Sequence, residues 1–408
     1  MVVHCCPQFL QALLACVSTL LSVPQAFVLR QLLIAWLMGC GGKMVHAARR
    51  TKGRHRTSLA RFLNKSRWDA TLVMTRLALR VLRGLKPVAG EFIYLILDDT
   101  HVAKRSRRMP GVKKLWDHAA QEFVRGHIVV TAAVMFRGVV LPWRFTLWLP
   151  EDYCRHHRRR FRKLTEIAAE IVRSFTPPAG LKVRVLFDAF YLCPTVTAAC
   201  ESRGFTWFSV AARNRLLLQE HGWRRLGDLG PGQIKHGGKR VRMRRARGWR
   251  WLTIASTDGL LKKIGAVRIV FSKRPRDPWK NLVAIATNER RLPARDIVAI
   301  YERRWAIEVL IKELKGTLGL GEYQVQKRQG IERHLHLCGL AHLTLTHHSL
   351  TAVGAKANQA NKDVPLPRFQ ERLDALRRDV RKDNVNRFVK RIRHAKIRRR
   401  VREHLLAE

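Results

Sequence analysis

The chain has 408 residues, 47% of them hydrophobic, which is enough for two or three domains around a sizeable core and excludes a disordered tail. Its 79 Lys and Arg against 30 Asp and Glu leave a formal net charge of +49, which a compact body carries only with a polyanionic partner. Nucleic acid is the first such partner, and an anionic membrane is the second.

The membrane reading fails early in the chain. The apolar run at 9–21 is too short to span a bilayer, ends near Pro24, and is followed by Arg30 and Gln31 inside the next apolar stretch. The opening MVVHCCPQ lacks the basic start of a signal peptide. Eight cysteines with no paired CxxC motif suit a reducing compartment, so the expected setting is cytoplasmic, in a bacterial nucleoid. Residues 1–88 read as an N-terminal helical domain, with apolar periodicity over 9–38 and 59–85 and with Ser58 and Ser66 as helix caps. The basic loop at 48–56 between the helix pairs resembles a helix-turn-helix, and DNA-end recognition stands there beside simple helical packing.

After Gly90 the period changes. Residues 92–97 are a continuous apolar run, the mark of a buried strand, ending in Asp98, Asp99 and Thr100. The runs 126–136 and 139–148 form a hairpin about Arg137 and Gly138. A helix over 162–175 precedes a second buried strand, 183–187, which ends in Asp188. A helix at 194–203 and a strand at 205–210 follow, so that 89–212 reads βββαβαβ. Residues 213–292 turn to broken β-runs in a basic background, at 240–247, 249–254, 266–271 and 282–287, a β-rich insertion. Helices resume over 293–355, and 356–408 is a basic C-terminal helical tail.

On one helix, Tyr301, Arg304, Glu308 and Lys315 fall within roughly a 60° arc, one carboxylate among phosphate-seeking side chains. An apolar stripe of Ile307, Leu310, Ile311, Leu314 and Leu318 borders them and gives the helix a core to lean on. Glu308 joins the two strand-end aspartates as a third acid in an acid-poor chain. Carboxylates brought together repel unless cations neutralise them, and oxygen-only ligands favour Mg²⁺ or Mn²⁺. Two such ions about 4 Å apart can drive in-line phosphoryl transfer, the chemistry that cuts and joins DNA.

With these residues in view, the chain resembles a DDE transposase of the insertion-sequence type. That family's third-acid helix carries Y, two residues, R, three residues, E, six residues, K, and YERRWAIEVLIKELK meets every position. The resemblance implies an RNase H-like mixed-sheet α/β core interrupted by the β-rich insertion. It implies that Asp99, Asp188 and Glu308 bind catalytic metal, with Tyr301, Arg304 and Lys315 on the DNA backbone beside the scissile phosphate. Asp99 is chosen over Asp98 because the family's acid directly precedes Thr. Strand alternation lets only one of the pair face the site, and Asp98 remains the fallback. The second motif, FDAFY, is a looser match.

The function so implied is a transposase that binds the ends of a mobile element, cleaves them with two Mg²⁺ or Mn²⁺ ions, and joins them to target DNA as a homodimer on paired ends. The rivals are a non-transposing nuclease on the same fold, such as a resolvase or a host-adopted derivative, and a catalytically silent DNA-binding repressor. In the family the insertion can set a Trp against a flipped base, and Trp249, Trp251 and Trp279 all lie in this one. His334, Cys338 and His342 share a helical face as a weak metal motif against a packed core helix. His118, His127, Lys104 and Arg105 follow the first acid and suit either a polar role near the site or solvation. The arginines of 377–402 suit a non-specific DNA clamp.

Overall fold

The computed structural model describes residues 7–51, 55–106, 108–117, 121–220, 222–245, 248–354, 359–360, 362–390, 401 and 403. The helices α1 (Gln8–Leu14), α2 (Val23–Leu37), α3 (Met44–Arg50), α4 (Arg56–Asn64) and α5 (Ala70–Gly84) come first, with a 3₁₀ segment at Ala15–Leu20. Ser22 and Gln25 cap α2 reciprocally. The expected caps Ser58 and Ser66 are displaced. His55 caps α4 and Asp69 caps α5, its carboxylate accepting the Leu72 N–H at 2.9 Å. The delay in α5 has a packing cause: Trp68 stacks on Phe62 at 4.8 Å and donates to the Phe62 carbonyl, holding the link between the helices out of helical geometry. Of the expected basic loop, residues 48–50 close α3 and 52–54 lie outside the described residues.

Strands β1 (Phe92–Ala103), β2 (Lys113–Asp117), β3 (Glu122–Phe136) and β4 (Val139–Leu147) follow. Arg137 and Gly138, with φ of 46° and 76°, turn β3 into β4, the positive-φ pair that a tight hairpin requires. Then come α6 (Glu151–His156), α7 (Leu164–Ser174), β5 (Lys182–Phe187), α8 (Pro194–Glu201) and β6 (Thr206–Ala211). The described order therefore adds β2 and α6 to the expected βββαβαβ. Around β1 the sheet runs β4-β3-β1-β5-β6, antiparallel on the β3 side and parallel through β5 and β6, the RNase H-like arrangement.

The insertion does not form a sheet of its own. It contains β7 (Leu216–Gln219), β8 (Gly222–Arg225), α9 (Leu226–Gly237), β9 (Lys239–Arg245), β10 (Gly248–Leu261), β11 (Gly265–Lys273) and β12 (Val283–Thr287). β12 pairs with β6, so its strands extend the core into one mixed sheet of twelve strands among the described residues.

The chain ends with α10 (Ala294–Glu302), α11 (Trp305–Gly316), α12 (Arg328–Val353) and α13 (Phe369–Val389). Helix α12 is buried along most of its length, packs against α2, α5 and β4, and joins the N-terminal helices to the sheet in one hydrophobic core. A buried ion pair reinforces the joint. Arg137 of the hairpin turn bonds Glu91 at 2.6 and 2.9 Å and the Leu85 carbonyl beyond α5 at 3.0 Å. No helix among the described residues is long and apolar enough to cross a membrane.

The core holds three histidines whose burial lowers their pKa to about 4: His127, His334 and His336. The unfolded chain, with a His pKa near 6.5, binds more protons than the fold between pH 6.5 and 4. Stability is therefore whole above about pH 6.5 and falls as the pH drops towards 4, by about 2 kcal/mol per histidine at pH 5. Melting temperature should drop from pH 7 to pH 5, and His336→Gln should flatten that slope; a level profile over the interval would contradict neutral burial.

Candidate active site

The site is set where two parallel strands part. β1 and β5 pair in register from Phe92↔Lys182 to Ile96↔Leu186, and continuing that register by two residues sets Asp98 level with Asp188. β5 ends at Phe187, whereas β1 runs on against β3, with Asp98 opposite Thr131 and Asp99 opposite Val130. The acids of β1 therefore lie within the strand, not at its end as the sequence suggested, because β3 supplies hydrogen-bond partners after β5 has stopped. Asp188 begins a turn in which its Oδ1 accepts the N–H groups of Phe190 (3.1 Å) and Tyr191 (3.3 Å).

The two β1 acids have different neighbours. Asp98 Oδ2 lies 3.3 Å from Arg304 Nη1, and Arg304 Nη2 donates to Glu308 Oε1, so one guanidinium bridges the strand acid and the helix acid. Asp99 Oδ1 instead accepts from the Tyr191 hydroxyl at 2.9 Å, while its N–H donates to Asp98 Oδ1 at 2.9 Å. Asp98 thus shares a cation with Glu308, and Asp99 is held from the turn after Asp188. Tyr191 was missed by the sequence reading; its signal was the aromatic three positions after the acid in FDAFY.

Burial pushes the Asp98 carboxyl up to about 7, against the pull of Arg304, with Asp188 and Asp99 adding like charge. Asp99 is raised by burial as well, with the Tyr191 hydrogen bond opposing it and Asp188 adding to it. Arg304 is held charged: burial opposes the charge, but Tyr301, Glu308 and Asp98 outweigh it and raise its pKa.

The continuous helix expected over 301–315 is broken. Arg303 and Arg304 close α10 with turns onto Ile300 and Tyr301, and α11 starts at Trp305. The break leaves the apolar stripe in place, with Ile307, Leu310, Leu314 and Leu318 buried. Arg304 at this junction faces the acids. Lys315 is exposed and donates to the His101 carbonyl of β1 at 2.7 Å.

Among the described residues no three His, Cys, Asp or Glu side chains gather closely enough to hold a metal ion together. Arg304 occupies the position of the neutralising cation between Asp98 and Glu308. The donor set still fits a hard divalent cation in its chemistry: oxygen-only, half-buried, and with Asp98 and Asp99 raised by burial, to which the neighbouring acids add like charge.

The other expected residues divide clearly. His334 and Cys338 bond the carbonyls of Gly319 and Leu318, and His342 bonds Glu313, so they anchor the chain after α11 and do not converge on a common point. His127 is buried between Tyr323 and the Pro110 carbonyl. Lys104 donates to the carbonyls of Gly321 and Tyr323, and Arg105 is exposed. His118, and 391–400 and 402 of the basic tail, lie outside the described residues.

All three insertion tryptophans are exposed, against the usual core placement of such residues. Trp249 is 55%, Trp251 49% and Trp279 37% accessible. Arg242 lies 5.2 Å from the Trp249 ring and Arg240 5.4 Å from Trp251, while Lys273 lies 5.0 Å from Trp279. Phe187 is level with Ser209, Ala286, Ile269 and Thr257 in successive strands, so the end of β10 that carries Trp251 and Trp249 extends past the sheet edge from which Asp188 emerges.

The family described as DDE superfamily endonuclease matches residues 22–255. The chain belongs to that family. A DDE endonuclease is a nuclease-type enzyme acting on DNA, and the matched span contains β1 and β5 with Asp98, Asp99 and Asp188. The match ends before Glu308, which meets Asp98 only through the Arg304 bridge. None of the curated proteins compared with the chain matches it.

Keeping Asp98 in this environment costs stability. Its folded pKa lies above the unfolded value near 3.9, so its contribution is whole below about pH 4 and is lost as the pH rises to 7. Asp98→Asn should raise the melting temperature at pH 8 by about 2–5 °C, with the gain vanishing towards pH 4. A variant less stable than the parent at pH 8 would show that the carboxyl is not held against its preference.

Proposed function

We propose that this DDE endonuclease is a transposase, which cleaves the ends of a mobile element by metal-dependent phosphoryl transfer and joins them to target DNA. The observation that carries the acid assignment is the Arg304 bridge. It links Asp98 to Glu308 at the level where the β1–β5 register sets Asp98 beside Asp188. On that ground the acid set is Asp98, Asp188 and Glu308, with Asp98 in place of the Asp99 that the motif favoured. Asp99 takes the supporting position, tying β1 to the Asp188 turn through Tyr191.

One or two Mg²⁺ or Mn²⁺ ions held by these acids would polarise a phosphoryl oxygen and favour ionisation of a water or a 3′-hydroxyl. The chain's own residues do the rest. Asp98, with a pKa of about 7, gives up its proton as the site is loaded. Arg304 presents a planar fork that suits a phosphate as well as a carboxylate, so it can exchange one for the other when DNA enters. Tyr301 beside it and Lys315 on the β1 carbonyl complete the grip on the backbone, and the +49 charge supplies the general attraction. The N-terminal helices and α13 would extend the contact to the element end, with two copies acting on paired ends.

The test uses the DNA that flanks the coding sequence, with Mg²⁺ or Mn²⁺, mapping both cleavage and strand joining. Asp98→Asn should lower cleavage by about three orders of magnitude, whereas Asp99→Asn should stay within about tenfold of the parent. The reverse order would return the role to Asp99. Cleavage without joining would reduce the protein to a nuclease, and binding without cleavage to a repressor.

A further inference from the structure

A feature with no counterpart in the motif lies on the β3 side of the acids. β1 leaves β3 at Ala103↔Gly126, where a Cβ on Gly126 would collide with the Val102 carbonyl and force the strands apart. β2 pairs with β3 from that same glycine outwards, Lys113↔Gly126 to Asp117↔Glu122. Beyond it β3 has no ladder except with β2, so the pair leaves the sheet as a two-stranded ribbon. Such a ribbon is marginally stable alone.

Register fixes where the ribbon goes and which way its side chains face. Asp98 stands opposite Thr131, and Phe123 lies eight residues further along β3, roughly 27 Å away along the strand. Facing residues share a side and alternate residues return to it, so Phe123, Arg125 and their partners Trp116 and Lys114 lie on the Asp98 side. There the Trp116 and Phe123 rings meet edge to face at 5.0 Å, and Lys114 Nζ sits 4.7 Å from the Phe123 ring centre. Phe123 is 61% and Trp116 37% accessible.

An aromatic pair flanked by Lys114 and Arg125, with exposed Arg105 and Arg108 in the preceding loop, would have to desolvate those charges at a cost against an apolar protein surface and suits a polyanion with flat apolar faces inside it. Two-stranded ribbons fit DNA grooves, and apolar side chains on such elements open base steps as wedges. We propose that the β2–β3 ribbon enters duplex DNA within one helical turn of the cleavage position and seats Trp116 and Phe123 against an opened base step. The proposal rests on the reading of the chain as a DNA-cleaving enzyme.

Metal-free full-length protein is mixed with the duplex flanking the coding sequence, carrying 2-aminopurine at successive positions, so that unstacking is read without any cleavage. One step should brighten with the parent protein and with Trp116→Phe. The Trp116→Ala/Phe123→Ala variant, shown folded by an unchanged melting temperature, should lose that signal and bind about tenfold more weakly. Equal signals from parent and double variant overturn the wedge, as does a double variant whose only change is loss of self-association, which would assign the pair to a second copy of the chain. DNA binding with no bright step overturns the wedge alone, and absence of DNA binding overturns the enzyme reading beneath it.

Discussion

The constraint on which this structure depends is the burial of like charge where β1 and β5 part. Asp98, Asp99 and Asp188 are brought close by strand pairing alone, and burial works against the ionised form of the two β1 acids. The fold answers each charge separately. Arg304 neutralises Asp98 and Glu308, Tyr191 donates to Asp99, and two backbone N–H groups serve Asp188. Arg304 does this from the junction of α10 and α11, where the hydrogen bonds tighten to a three-residue spacing.

The same geometry suits the exchange that the proposed function requires. A guanidinium fork that two carboxylates share also has the geometry for a carboxylate and a phosphate. On the proposed function, the group that holds the unloaded site together is the one that would meet the substrate, which avoids unpaired buried charge in either state.

Much of this was legible in the sequence. The apolar runs at 92–97 and 183–187 have the composition of strands buried on both faces, and Arg137–Gly138 has the conformational signature of its turn. The stripe from Ile307 to Leu318 is a property of helical period alone, and it survives the break ahead of it. What could not be read depends on partners distant in the chain. Whether Asp98 or Asp99 meets Arg304 is a matter of register across strands and of a helix more than two hundred residues later. β2, with the sequence KKLWD, has too few apolar residues to signal a strand and exists because β3 lends it a ladder. The cap of α5 moved from Ser66 to Asp69 because Trp68 chose Phe62, a tertiary preference that outweighs the local propensity of serine. His334, Cys338 and His342 share a helical face for packing reasons, since carbonyls and a carboxylate across the core take their polar atoms.

The continuity of the twelve-stranded sheet has a mechanical consequence. From β2 to β10 every step is a hydrogen-bonded ladder, so Asp98 and Asp99 of β1 and the exposed Trp249 and Trp251 of β10 are mounted on one stiff beam with no linker between them. A load applied to β10 reaches the Asp188 turn by way of β11, β12 and β6, each bonded to the next. The sheet therefore works as a gauge: it fixes the span between the Asp188 turn and the rings on β10.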